Sequence, residues 1–135
     1  MRISGLQQNI FIDVRVLYDD LGSISTYSKK DAKKLREMGI HCHTFNSLYA
    51  IKGTLNYRDH RKMLVIDGRV AYSGGINLAD EYANIIRRFG NWKDTALRLE
   101  GEGVWGLTSI FLEMWEVTMG YEITTDYSVY MPMLK

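Results

Sequence analysis

The hydrophobic and polar positions change period several times along this 135-residue chain, and each change marks an element. Residues 13–18 alternate and are rich in valine, the pattern of a strand. Asp19, Asp20, Leu21, Gly22 and Ser23 end it and open a loop. Over residues 29–38, Ala32, Leu35 and Met38 give a narrow apolar stripe with lysines on the other side, which predicts a helix. Ser28 suits its N-cap, Asp31 its first turn and Gly39 its C′ position. Residues 40–45 read as a second strand, so the three elements form a βαβ unit with parallel strands.

After a connection at residues 46–55, a continuous apolar run at 63–66 is followed by Asp67-Gly68 and by a second run at 70–72. That order predicts a β-hairpin, because Gly accepts the positive φ of a tight turn. With Asp67 and Gly68 as the loop, Ile66 faces Arg69, Lys62 faces Ser73 and His60 faces Gly75. Residues 78–88 suit a short helix capped by Asn77 or Asp80, and residues 92–99 alternate as a strand. The clearest helical period covers 104–119, with Val104, Leu107, Phe111, Met114 and Trp115 on one face and Gly120 closing it. The expected architecture is α/β, a mixed sheet flanked by helices. It forms one domain over residues 13–120, with 1–12 fitting no element and 121–135 as a tail or link.

Composition narrows the picture only slightly. Hydrophobic residues make up 46% and charged residues 24%, as in an ordinary globular domain. A net charge of +1 gives no global electrostatic case for nucleic acid, and none is expected as a partner. A local cluster of Arg58, Arg61, Lys62 and Arg69 suits one anionic group better than a polymer backbone. Cys42 is the single cysteine, so no internal disulfide forms and the compartment stays open. No apolar run approaches the roughly 20 residues that span a bilayer. His41 and His43 share a strand face while Cys42 points away, a poor zinc set; no metal is expected. Trp105, Phe111 and Trp115 read as core packing, and Arg87-Arg88 as a solvated turn within reach of an anionic lipid surface.

The hairpin carries the chemistry. Alternation puts His60 and Lys62 on one face, and the two-residue loop adds Ser73, Gly75 and Asn77 to it; an odd-length loop would break that parity. A nucleophile candidate, a cation, an amide and a glycine pair then collect at the open end. Lys62 and Asn77 can both donate to a phosphate, and Gly74-Gly75 lets it approach the backbone.

These residues resemble the signature of the phospholipase D superfamily: His-x-Lys, four residues, Asp, six residues, Gly-Gly, one residue, Asn. His60, Lys62, Asp67, Gly74, Gly75 and Asn77 meet every spacing. The surrounding wording, from residue 14 to 115, is similar to the first catalytic half of a bacterial cardiolipin synthase. Ala96 departs from the family pattern, which has a polar residue near it. The resemblance implies catalytic roles for His60, Lys62, Asp67 and Asn77, and phosphate binding by Arg58, Ser73, Gly74 and Gly75. It also implies a carboxylate, Asp94, that orients the histidine. It implies phosphatidyl transfer between phosphatidylglycerol molecules through a phosphohistidine, without cofactor or metal. A second such half, from the rest of a longer protein or a homodimer partner, would complete the site. Membrane association would come through segments outside this chain. Two other readings stand beside it: a single-motif phosphodiesterase or nuclease working as a homodimer, and a fragment that binds phosphate or headgroup without turnover.

Overall fold

The computed structural model describes residues 12–19, 29–45, 59–120 and 126–131. Strand β1 (Arg15–Asp19), helix α1 (Lys29–Glu37) and strand β2 (His41–Phe45) form the expected βαβ unit, with β1 and β2 parallel. Gly39, at φ 84°, ends α1 in the αL conformation. Its N–H bonds the Arg36 carbonyl at 3.0 Å and the Ile40 N–H bonds Leu35 at 3.0 Å, the paired bonds of a Schellman cap. Ala32 is buried, but Met38, expected on the apolar stripe, lies past the last turn of α1 and is 74% exposed. Cys42 is fully buried. Ser28, Arg58 and the connection at 46–55 lie outside the described residues.

Strands β3 (Lys62–Ile66), β4 (Val70–Gly74) and β5 (Ala96–Glu100) make an antiparallel meander. Parallel and antiparallel pairing are thus both present, in a two-stranded and a three-stranded sheet. Asp67 and Gly68 take the positive φ values, 52° and 64°, of the expected tight turn, and the Arg69 N–H bonds the Ile66 carbonyl at 2.9 Å. The register is nevertheless Ile66 opposite Val70, so Arg69 is an extra unpaired residue. This corrects the two-residue expectation and shifts every pair by one. Gly74, rather than Ser73, stands opposite Lys62, while Ser73 stands opposite Met63. A residue's face alternates along a strand, so Ser73 leaves the Lys62 face.

Helix α2 (Val104–Met119) packs against β2 in one sheet and β3 and β4 in the other. Its ends fall where the period placed them, with Gly120 at φ 68° and its N–H on the Glu116 carbonyl at 2.9 Å. Its buried line is Val104, Thr108, Leu112 and Glu116, one residue round from the expected stripe. Thr108 can be buried because its hydroxyl donates to the Val104 carbonyl at 2.8 Å. The bulky Phe111 and Trp115 sit half-buried at the rim, stacked at 6.0 Å. The His43 ring meets the Trp115 ring edge-on at 5.2 Å. Burial against that rim, with Arg36 and His41 adding positive charge, lowers the His43 pKa. The segment 126–131 returns to the hairpin tip: Gly68 is buried against the Tyr130 backbone, and the Tyr130 hydroxyl accepts from Arg15 at 3.4 Å.

The region expected as a helix at 78–88 is instead a chain of turns. Asn84 adopts φ 58°, which no helix continues through. The Ile85 and Ile86 N–H groups both reach back to the Asp80 carbonyl, at 2.9 and 3.2 Å.

Candidate active site

The site is built at the start of β3 and the end of β4. His60 stands just before β3 and Lys62 begins it. The Lys62 ammonium lies 2.8 Å from His60 Nδ1 and 2.9 Å from Nε2, and donates to the His60 carbonyl at 2.7 Å. Cation and imidazole therefore meet as the spacing predicts. Across the sheet, Lys62, Gly74 and Ala96 form one row. Both neighbours are small, so the space over the sheet beside Lys62 stays open. The face behind it carries Val65, Ala71 and Leu99, of which Ala71 is fully buried.

The glycine pair has a steric reason. A Cβ on Gly74 would stand 2.8 Å from the Thr95 carbonyl, and one on Gly75 would stand 2.8 Å from Asp94 Oδ1. Real Cβ atoms do not come so close, so the backbone approach of β4 to Thr95 needs glycine at 74, whereas a side chain at 75 would push the Asp94 carboxylate aside. Asp94 is thereby placed against Gly75. Its carboxylate accepts from Trp92 Nε1 at 3.1 Å and from the Thr95 N–H at 2.8 Å. Those bonds explain why the strand begins at Ala96 rather than at Trp92 as the alternation suggested. Among the described residues, Asp94 hydrogen-bonds Trp92 and Thr95 rather than His60; its negative charge acts on Lys62.

Trp92 is positioned in turn by Asn84. The Asn84 amide donates to the Trp92 carbonyl at 2.9 Å and accepts from the Trp92 N–H at 2.7 Å, as a strand neighbour would. Tyr82 packs edge-on to Trp92 at 4.8 Å, and Phe89 lies 6.0 Å from both rings. Asn84 was not singled out from the sequence. The available signal was an Asn where a helix was expected, since Asn tolerates αL.

Lys62 is half-buried, and burial lowers its pKa from the ordinary lysine range, with Asp94 and Asp59 pulling the other way. A lowered pKa contributes stability above the ordinary lysine value and loses it as pH falls through the shifted one. Below the shifted value the fold holds this charged ammonium at a cost. Asp59 is held below the usual carboxylate range by Arg61, whose Nε and Nη2 reach its carboxylate at 2.8 and 2.5 Å. Here the stabilising contribution is present above the ordinary Asp value and lost as pH falls through the lowered one. In Arg61→Ala the Asp59 carboxyl is expected to titrate higher, towards the ordinary Asp range, in an NMR pH titration. An unmoved titration would show that Arg61 is not the cause.

Asn77 lies half-buried just past β4, its side-chain amide making no hydrogen bond among the described residues. Asp67 is at the hairpin tip, the far end of β3 from His60, roughly 20 Å away at ~3.3 Å per residue. Its observed place is in the turn. Ser73 faces away with Met63, and Arg58 lies outside the described residues. The arrangement thus brings together His60, Lys62, Gly74, Gly75 and Asp94.

No family model matches the chain, and no solved structure matches it. Several curated proteins do. An uncharacterised protein of Streptococcus mutans is 55% identical over 108 residues, 79% of this chain and 23% of that protein. The major cardiolipin synthase of Bacillus subtilis is 46% identical over 106 residues, covering 77% of this chain and 22% of the synthase. Cardiolipin synthase 2 of Staphylococcus epidermidis is 42% identical over 123 residues, 90% of this chain and 25% of that protein. The chain spans a quarter or less of the length of these relatives.

Proposed function

The chain belongs with the bacterial cardiolipin synthases, and on that premise we propose that it supplies one half of a two-motif site for phosphatidyl transfer. The observation that carries this reading is the Lys62 ammonium within 2.9 Å of both His60 ring nitrogens, beside a strand end kept open by Gly74 and Gly75. A phosphodiester in that opening would meet a nucleophile and a cation together.

In the proposed reaction the His60 imidazole attacks the phosphorus of one phosphatidylglycerol. A P–N bond forms, the P–O bond to glycerol breaks, and glycerol leaves with a proton from an acid on the second motif. The hydroxyl of a second phosphatidylglycerol then gives its proton to that group and attacks. A P–O bond forms, the P–N bond breaks and the diphosphatidyl product departs. Lys62 and Asn77 stabilise the charge on the non-bridging oxygens through both steps. Asp94 offsets the Lys62 charge and sets its position. The chain's place is at a membrane surface, although no helix among the described residues is long and apolar enough to cross one.

Intact-mass spectrometry after incubation with phosphatidylglycerol tests the proposal, with native mass measured on the same sample. The expected result is a phosphatidyl adduct on the peptide containing His60, in an assembly that holds two motifs. An adduct in a symmetric homodimer acting on diesters other than lipids favours a single-motif phosphodiesterase. A monomer that binds phosphodiester without an adduct, even with a second half supplied, overturns the catalytic reading.

A further inference from the structure

The turns that carry Asn84 and Trp92 leave several of their large apolar side chains in solvent. Leu78 is 101% exposed, Ile85 71%, Ile86 54% and Phe89 53%. Single exposed apolar residues are ordinary, but a group within one short stretch marks a contact surface. Within it, Ile85, Ile86, Arg87, Arg88 and Phe89 are consecutive and all exposed. Arg88 lies over the Phe89 ring at 5.4 Å, with Glu81 at 3.8 Å, while Arg87 makes no ion pair among the described residues. Apolar tips beside guanidinium groups are the composition of an element that lies in a lipid interface. The other exposed apolar group, Leu64, Ile66 and Tyr72 on the open sheet face, differs in charge. Its arginine, Arg98, is already engaged by Glu100 and by the Tyr72 hydroxyl at 3.1 Å.

We propose that residues 78–93 form a docking loop that seats this chain on an anionic phospholipid surface. Leu78, Ile85, Ile86 and Phe89 enter the boundary between headgroups and acyl chains, and Arg87 binds lipid phosphate, joined by Arg88 where phosphate displaces Glu81. The loop is joined to the site through Trp92, whose Nε1 bonds Asp94 at 3.1 Å. Docking through this loop therefore acts on a segment bonded directly to the site. The choice of a phospholipid rests on the phosphatidyl-transfer reading; the surface itself does not need turnover.

Flotation of the full chain with vesicles tests this, comparing phosphatidylcholine alone with phosphatidylcholine plus phosphatidylglycerol. The wild-type chain is expected to float with the anionic vesicles. Ile85→Ser/Ile86→Ser should lower the bound fraction about tenfold. Arg87→Gln/Arg88→Gln should remove the preference for phosphatidylglycerol and the salt dependence. Val117→Ser, at a position 83% exposed on α2, should float as wild type does. Circular dichroism checks folding, and if the isoleucine pair fails to fold, the arginine pair carries the test. No flotation of wild type, or full flotation of both paired variants, overturns the proposal. So does a native-mass dimer that disappears together with the exposed isoleucines, which assigns the surface to a second copy. Adduct formation from dispersed short-chain lipid without flotation removes the docking loop and leaves the transfer reading; flotation without an adduct does the reverse.

Discussion

His60→Ala is expected to lower phosphatidyl transfer by about 10⁴-fold or more when the chain is paired with a second motif-bearing half. It should leave stability within roughly 0.5 kcal/mol. The reasoning is local. The His60 ring is exposed, and its described side-chain contact is the Lys62 ammonium. Alanine keeps the residue-60 carbonyl, which accepts from that ammonium at 2.7 Å, so the cation retains a partner and its place. Phosphodiester affinity should therefore persist while the covalent step is lost. Rates of adduct formation and a binding isotherm on the same variant separate the two. Activity retained within tenfold would remove His60 as nucleophile, and affinity lost in parallel would mean that the ring holds substrate rather than attacks it.

Leu112→Ala should produce the largest loss of stability, about 2–5 kcal/mol, because it removes a core side chain that neighbours cannot replace. Leu112 is 4% exposed, and the line it shares with Val104 and Thr108 packs a helix that touches β2, β3 and β4. Few other described side chains are so covered: Ala32, Cys42, Ala71 and Val104 complete the buried apolar set. With so small a core, that loss is a large share of the usual 5–15 kcal/mol. It should also reach the site, since β3 and β4 present Lys62 and Gly74. Urea unfolding checks it. A change under 1 kcal/mol would mean that the helix does not couple the two sheets.

The elements were readable where local chemistry is strong. Gly39, Gly120 and Asp67-Gly68 ended or turned the chain where their φ preferences demanded. The body of α2 followed from its period. The pairing of His60 with Lys62 followed from a two-residue spacing and needed no distant contact. The register was not readable, because one inserted residue, Arg69, changes every cross-strand partner without changing any propensity. The reversal at Asn84 was hidden for a related reason: the residues around it suit a helix, and the amide bonds that draw Asn84 into αL go to Trp92, eight positions away.

Local sequence thus determined the βαβ unit, the tight turn at Asp67-Gly68 and the pairing of His60 with Lys62, since these depend on side chains a few positions apart. Tertiary contact settled the rest. Gly75 lies against Asp94, Ser73 turns away from Lys62, and Thr108 rather than Leu107 sits in the buried line. Each of these depends on how two distant segments pack, and a one-dimensional pattern carries the faces of its elements but not the partner each face will meet.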